Sequence, residues 1–302
     1  MSTLIALENT HWQVGILPET GASTAYGRIK HNGAWVDFMR PTPPEKYDNS
    51  SDCASFLLVP WSNRIREGIL RFRDQRYQLD LASDGTARHG LVRHFPWQVD
   101  SSGDDHVHLR FDSTQFDSIN YPFSFQSTAR FRLDGSKFIM ELSIKNTDSQ
   151  PFPAGIGHHP YFVRQINGEE AQVKIPADKL FELRDKMADA APIPITLELD
   201  FRAARELGDA EIDALLTGIA NNTAIRLSYP QQGIAVQLES GDIFKHVILF
   251  APEGKPFYAV EPVSNANDGF NLHDAGIQGS GVFVLNPGEE TNGVFVMTVV
   301  ED

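Results

Sequence analysis

The chain has 302 residues, with 40 acidic against 26 basic side chains and a formal net charge of −14. That balance argues against a binder of nucleic-acid phosphates or of anionic membranes, since both rely on clustered Lys and Arg. Hydrophobic residues at 41% and charged residues at 22% suit a folded globular protein, and the single cysteine, Cys53, excludes an intramolecular disulfide or a cysteine-rich metal site.

Period-two alternation dominates the chain in order. Strands are predicted over 12–17, 34–39, 76–81, 107–111 and 123–133, where FSFQSTARFRL mixes aromatic and polar alternates. In the next segment Phe138, Met140, Leu142 and Ile144 alternate with Ile139, Glu141, Ser143 and Lys145, which puts one side of an extended segment in a core. Further strands are predicted over 224–229, 234–239, 243–250 and 294–300. Turn residues such as Asp134-Gly135, Gly241-Asp242 and Asn286-Pro287-Gly288 separate them. The one helical candidate is 209–216 (DAEIDALL), with Asp209 as N-cap and Gly218 near its end.

Strands do not alternate with long amphipathic helices, so a doubly wound fold is not expected. No linker or repeat divides the chain, and Pro41-Thr42-Pro43-Pro44 reads as a loop. One large antiparallel β domain over 1–302, of two packed sheets, is the expectation. The amino-terminal MSTLIALENTHWQ has no basic segment followed by a long apolar core, and no run approaches the ~18 apolar residues of a membrane helix. A soluble, cytoplasmic protein is therefore expected.

Nucleotide and hydrolase motifs fail. Gly276, Gly279 and Gly281 precede a strand and read as turn glycines, not as a dinucleotide loop. His106 and His108 share one strand face, but a metal site needs further ligands that no spacing supplies. Four segments carry more chemistry. PWSNRI (60–65) interrupts an apolar stretch with Asn63 and Arg64, and RHGLVRHFPW (88–97) places His89-Gly90 beside several donors. In GIGHHPYF (155–162), His158 and His159 take opposite faces if extended, and Pro160 biases His159 toward that conformation. In FYAVEPVSNANDGFN (257–271), Glu261 ends an apolar run, a setting that raises a carboxyl pKa toward the range of a general base. Together these suit acid–base chemistry on a polar, uncharged substrate with apolar ring faces, and a sugar fits.

In that order, the NRI segment at Asn63, the HG…PW segment from His89 to Trp97, the HPYF segment at His159 and the EP pair at Glu261 resemble the aldose 1-epimerase (mutarotase) family. The resemblance covers nearly the whole chain. It implies an all-β fold, a large antiparallel β-sandwich (supersandwich) of the galactose mutarotase type. It also implies interconversion of the α and β anomers of a free aldose, with Glu261 as general base and His159 as general acid. Arg64 and His89 match sugar-binding positions, and Asp213 falls where the family has an acidic residue that binds sugar hydroxyls. No cofactor or metal is implied. The partner is a monosaccharide, and the protein would be a monomer or homodimer. The HG segment continues Leu91-Val92-Arg93 where the best-known galactose mutarotases have a second glycine, so the resemblance does not extend to galactose preference. Three rival readings are a hexose carrying a phosphate or sulfonate held by Arg64, Arg88 or Arg93, a two-carboxylate glycoside hydrolase, and a non-catalytic sugar-binding module.

Overall fold

A computed structural model describes residues 3–220 and 223–301 of the chain. The alternating segment 138–145 lies in the strand Lys137–Asn146, flanked by Phe125–Asp134 and Glu290–Val300 in a nine-stranded antiparallel sheet. Its register sets Phe131 opposite Met140 and Met140 opposite Phe295, a buried row pointing inward. On the outer side Arg130 faces Glu141 and pairs with it at 3.7 Å. Polar and apolar alternates thus separate by face, as the two-residue period of a strand requires.

An eight-stranded antiparallel sheet packs against this one. Its centre runs Ile212–Thr217, His246–Ala251, Phe257–Val263 and Gly157–His158, and Tyr161–Val163 pairs separately with Phe257–Val263. Val247, Leu249 and Val260 from this sheet join Phe131, Met140 and Phe295 in one core. Fully burying a Leu or Phe side chain contributes about 1.5–3 kcal/mol, so this shared layer fixes the two sheets as a large β-sandwich. A third sheet, of four strands from Ile5–Glu8 to Ala34–Asp37, is joined to the sandwich where Trp12 meets Phe138 at 5.9 Å between ring centroids.

The eight-stranded sheet has a second face that does not belong to this core. Directly opposed residues point to the same side of an antiparallel sheet. Ile248 opposes Glu261 and Asp213 opposes Phe250, so these four share the face turned away from Val247, Leu249 and Val260.

The helix expected over 209–216 is absent. Ile212–Thr217 is an inner strand between Lys179–Phe181 and His246–Ala251, with Ala214 and Leu216 in the main core and Leu215 on the other face. Hydrogen bonding on both edges and burial on both faces override the helical propensity of Ala and Leu. An α-helix does form at Gly269–Asp274, where no apolar periodicity announces one. Gly276, Gly279 and Gly281 all have positive φ, as turn glycines do. Among the described residues no helix is long and apolar enough to cross a membrane.

Candidate active site

Glu261 lies two residues inside the strand Phe257–Val263, not at its end. Its neighbours Val260 and Pro262 point to the opposite face, so alternation alone delivers a carboxylate to the second side of the sheet. His158 and His159 divide in the same way. His158 enters the core against Phe244 and Phe295, and burial pushes its imidazole down to about 3. His159 faces the other side, its backbone N–H donating to Phe56 O at 3.0 Å, while Tyr161 N–H donates to Ala54 O at 2.8 Å. These bonds bring His159 Nε2 to 3.2 Å from Glu261 Oε1, with both side chains buried.

Arg64 lies on a small two-stranded element in which it opposes Arg88, and His89 follows directly after that second strand. The backbone here is unusual. Asn63 has φ +53° and His89 φ +64°, left-handed values that are rare for residues with a side chain. His89 N–H donates to Asn63 O at 2.7 Å, which locks the two strained residues together. Gly90 follows at φ +64°, and a Cβ there would overlap the Val59 backbone. Strained residues of this kind persist where the surroundings over-determine them, often at functional sites.

A side-chain zipper joins this element to the segment after Glu261. Asn265 Oδ1 accepts from Ser62 N–H at 2.9 Å and from Ser62 Oγ at 2.8 Å, and Asn265 Nδ2 donates to Ser62 O at 3.2 Å. Asp268 N–H donates to Arg64 O at 2.8 Å, and its carboxylate accepts from Arg66 N–H at 3.0 Å and Arg66 Nε at 3.2 Å. Arg64 is thereby held relative to Glu261.

The assembled walls enclose a cavity of about 300 Å³. All five residues singled out from the sequence line it: His159, Glu261, Arg64, His89 and Asp213. Larger cavities of about 550 and 700 Å³ lie around Thr217–His246 contacts and around Arg164 and Lys255. Neither brings together a buried acid and imidazole in contact, so chemistry favours the smaller one. Trp61 and Trp97 are buried but do not line it; Trp61 packs on Tyr121 at 6.0 Å, and both serve the core. His106 and His108 lie elsewhere, beside Asp105 at 2.8 Å and Arg130 at 3.2 Å respectively.

Sequence reasoning left several wall residues without a role. Phe56 and Tyr161 pack on the His159 ring at 4.4 and 4.6 Å between centroids. Tyr161 was visible in HPYF, whereas Phe56 sits in an apolar stretch like many others. Lys186 reaches the cavity from the turn between Leu183–Arg184 and Met187–Ala188, and Asp84, outside the lining itself, bridges two wall residues, Arg64 at 3.2 Å and Arg88 at 3.1 Å. No local pattern marks either one.

Burial, reinforced by the charge of Asp213, raises the Glu261 carboxyl well above the usual range. Burial, then the guanidinia of Arg93 and Arg40, lowers the His159 imidazole well below its ordinary value. Both effects oppose an ion pair. Both groups are thus driven toward their neutral forms, with Nε2 and Oε1 3.2 Å apart. Burial also raises Asp213 and lowers His89, the latter helped by His159 and Arg93. Asp84 differs: burial pulls its carboxyl upward, but bonds from Thr86 and Arg64 outweigh this and bring it to about 2.

Comparison with known proteins gives a consistent result. Residues 4–298 match the aldose 1-epimerase family. The uncharacterized protein YihR of Escherichia coli K12 is 28% identical over 71% of this chain and 71% of its own. YphB of the same organism, also uncharacterized, is 24% identical over 86% and 90%. The fold matches that of an Escherichia coli K12 protein described as a putative aldose 1-epimerase (TM-score 0.85, 22% identity, all of both chains). It also matches a galactose mutarotase-like protein from Clostridium acetobutylicum (TM-score 0.87, 20% identity, 100% of this chain and 96% of that one).

Proposed function

The chain belongs to the aldose 1-epimerase family, and we propose that it interconverts the α and β anomers of a free aldose at the cavity holding His159 and Glu261. The observation that carries this reading is the contact of 3.2 Å between a buried imidazole and a buried carboxyl in a cavity of about 300 Å³. Small-molecule sites span about 300–1,000 Å³, so the space suits one monosaccharide.

Anomerisation needs a proton taken from the anomeric hydroxyl and one given to the ring oxygen. Glu261 as carboxylate removes the first, and His159 as imidazolium supplies the second. The C1–O5 bond breaks as the C1=O bond of the open-chain aldehyde forms. Rotation about C1–C2 turns the other carbonyl face toward O5, and closure with the roles reversed gives the other anomer. Each placed proton donor or acceptor typically contributes about 10²–10⁴ in rate.

The resting pair and the catalytic pair contain the same number of protons. Carboxylate with imidazolium is required while the ring is closed; carboxylic acid with neutral imidazole accompanies the open chain. Because burial favours the neutral form, the site stabilises the proton arrangement reached on ring opening. Arg64, His89 and Asp213 are proposed to bind sugar hydroxyls, with Arg64 opposing charge on oxygen as it develops. These two proton transfers complete the reaction without a cofactor.

The test is polarimetry on freshly dissolved α-glucose and α-galactose. Acceleration above the buffer rate is expected for at least one, and Glu261→Gln should remove it while sugar still binds. Buffer rates with both sugars would defeat the simple-aldose reading.

A second reading keeps the reaction but adds an anionic group to the sugar. One observation favours it: Arg64 and Arg88 share a single carboxylate, Asp84, and Lys186 on the same cavity makes no ion pair among the described residues. Rates with glucose and glucose 6-phosphate separate the two readings.

A further inference from the structure

The His159 ring sits among cations that reach it through other rings. Phe56 and Tyr161 pack on it, and over each lies a guanidinium. Arg93 Cζ is 3.9 Å from the Phe56 centroid, and Arg40 Cζ is 3.8 Å from that of Tyr161. Neither arginine forms an ion pair with a carboxylate among the described residues. Arg93 donates to Ser50 Oγ at 3.1 Å, to Ser51 Oγ and to His89 Nδ1 at 3.4 Å. Arg40 donates to the carbonyls of Ser51, at 3.0 Å, and Cys53, and its buried Nε has no partner. Arg164, buried elsewhere, has the usual arrangement, with Glu170 at 2.7 Å.

Arg93 is buried and Arg40 half-buried, and a cation withdrawn from water without a carboxylate in contact is costly to keep. Hydrogen bonds to hydroxyls and carbonyls and the negative faces of aromatic rings offset part of that cost without cancelling the charge. Asp52 offsets part of the Arg40 charge from beyond contact distance, and the field that remains, chiefly that of Arg93, extends to whatever the rings touch.

We propose that Arg93 and Arg40 are positioning residues for His159: through Phe56 and Tyr161 they hold its ring against Glu261 and make its imidazolium readier to release a proton to the sugar ring oxygen. This rests on the acid–base reading of the site. The other titratable or charged groups facing His159 are Glu261 at 3.2 Å, His89 at 5.1 Å between ring centroids, Tyr161 itself and, farther off, Arg64. Glu261 would favour the imidazolium only as a carboxylate, and burial opposes that form. The remaining cations all act in one direction. After burial itself, Arg93 and then Arg40 are the strongest influences lowering the imidazole. Burial pushes Arg93 down only to about 10, so it stays charged at neutral pH.

The experiment uses Arg93→Met, Arg40→Met and the double variant, with Arg93→Lys and Arg40→Lys as partners that keep the charge. The pH profile of kcat/KM for mutarotation is measured alongside the protonation of His159 in the free protein by ¹⁵N-histidine NMR. In the Met variants the acid limb, where His159 gains a second proton for the pair, should move up by about one pH unit. At neutral pH kcat should fall about tenfold with KM changed less than about twofold. The Lys variants should keep the wild-type limb. An unmoved limb in the double Met variant, or an equal shift in the Lys variants, overturns the proposal. If the wild type accelerates no sugar, the mutarotase reading fails by itself and the NMR result decides this one. His159 should then take up its proton at higher pH in the double variant. Identical protonation at every pH where both proteins are folded overturns the proposal.

Discussion

His159 Nε2 and Glu261 Oε1 stand 3.2 Å apart inside the fold, and burial shifts the carboxyl up and the imidazole down, toward a neutral pair that holds one proton. The raised carboxyl loses that proton only at high pH, and the lowered imidazole gains a second only at low pH. The two shifts therefore move apart the limits between which the pair holds one proton. The profile of kcat/KM against pH should be a broad plateau across neutrality. It should fall in acid as His159 is protonated beside a protonated Glu261, and in alkali as Glu261 ionises. Stopped-flow polarimetry across the stable range checks this. A narrow bell centred near the ordinary histidine value would contradict the assigned directions.

Glu261→Gln separates catalysis from stability. On the proposed mechanism Glu261 is the base, and its loss should reduce kcat by about 10²–10⁴, with sugar affinity by calorimetry changed little. Stability should respond in the other direction. A carboxyl whose folded pKa is raised contributes less stability as pH climbs from its unfolded value through its folded one. Gln has no such titration, so the variant should melt no lower than wild type at neutral pH and higher at alkaline pH. A lower Tm at alkaline pH would mean that Glu261 is not held as a buried neutral acid.

The sheets were legible because alternation is a local signal. The pattern of 138–145 gave both the strand and its inward face, and the same rule turned Glu261 and His159 away from the core. The segment 209–216 misled because Ala and Leu favour a helix when read alone, and only the strands on either side of Ile212–Thr217 overrule them. Asp213 nevertheless reached the cavity, since a strand presents alternate residues to one face. Phe56, Asp84 and Lys186 escaped notice for a different reason. Their roles come from partners distant in sequence, and nothing in their immediate neighbours differs from ordinary core, loop or turn.

Asn265 should matter to stability more than its exposure to chemistry suggests. It is buried and exchanges hydrogen bonds with both the backbone and the hydroxyl of Ser62. Asn265→Ala leaves the buried Ser62 N–H and C=O unsatisfied, while the Ser62 hydroxyl keeps the Asn265 carbonyl at 2.9 Å; the cost is about 1–3 kcal/mol, read as a lower urea midpoint with an unchanged slope. Gly155→Ala should act through the same contact, because the added Cβ overlaps Asn265 Oδ1. The two losses should be strongly non-additive in a double-mutant cycle. Simple additivity would show that the zipper is not a single unit.

Asp84 offers the sharpest discrimination between a neutral and an anionic sugar. Its carboxylate is the common counter-ion of Arg64 and Arg88 and remains charged down to about pH 2. Asp84→Asn keeps the size and some hydrogen bonding but leaves two neighbouring guanidinia uncompensated. Their mutual repulsion loosens Arg64, so KM for glucose should rise about tenfold while kcat, which the proposed mechanism assigns to His159 and Glu261, changes less than about threefold. An anionic sugar meets the opposite situation, since the added positive charge attracts it, and KM for glucose 6-phosphate should fall. Steady-state kinetics on both sugars at low and moderate salt measure the ratio, and screening should shrink any gain for the phosphate. If Asp84→Asn raises KM equally for both sugars, the two arginines orient hydroxyls in each case and the anionic reading loses its support.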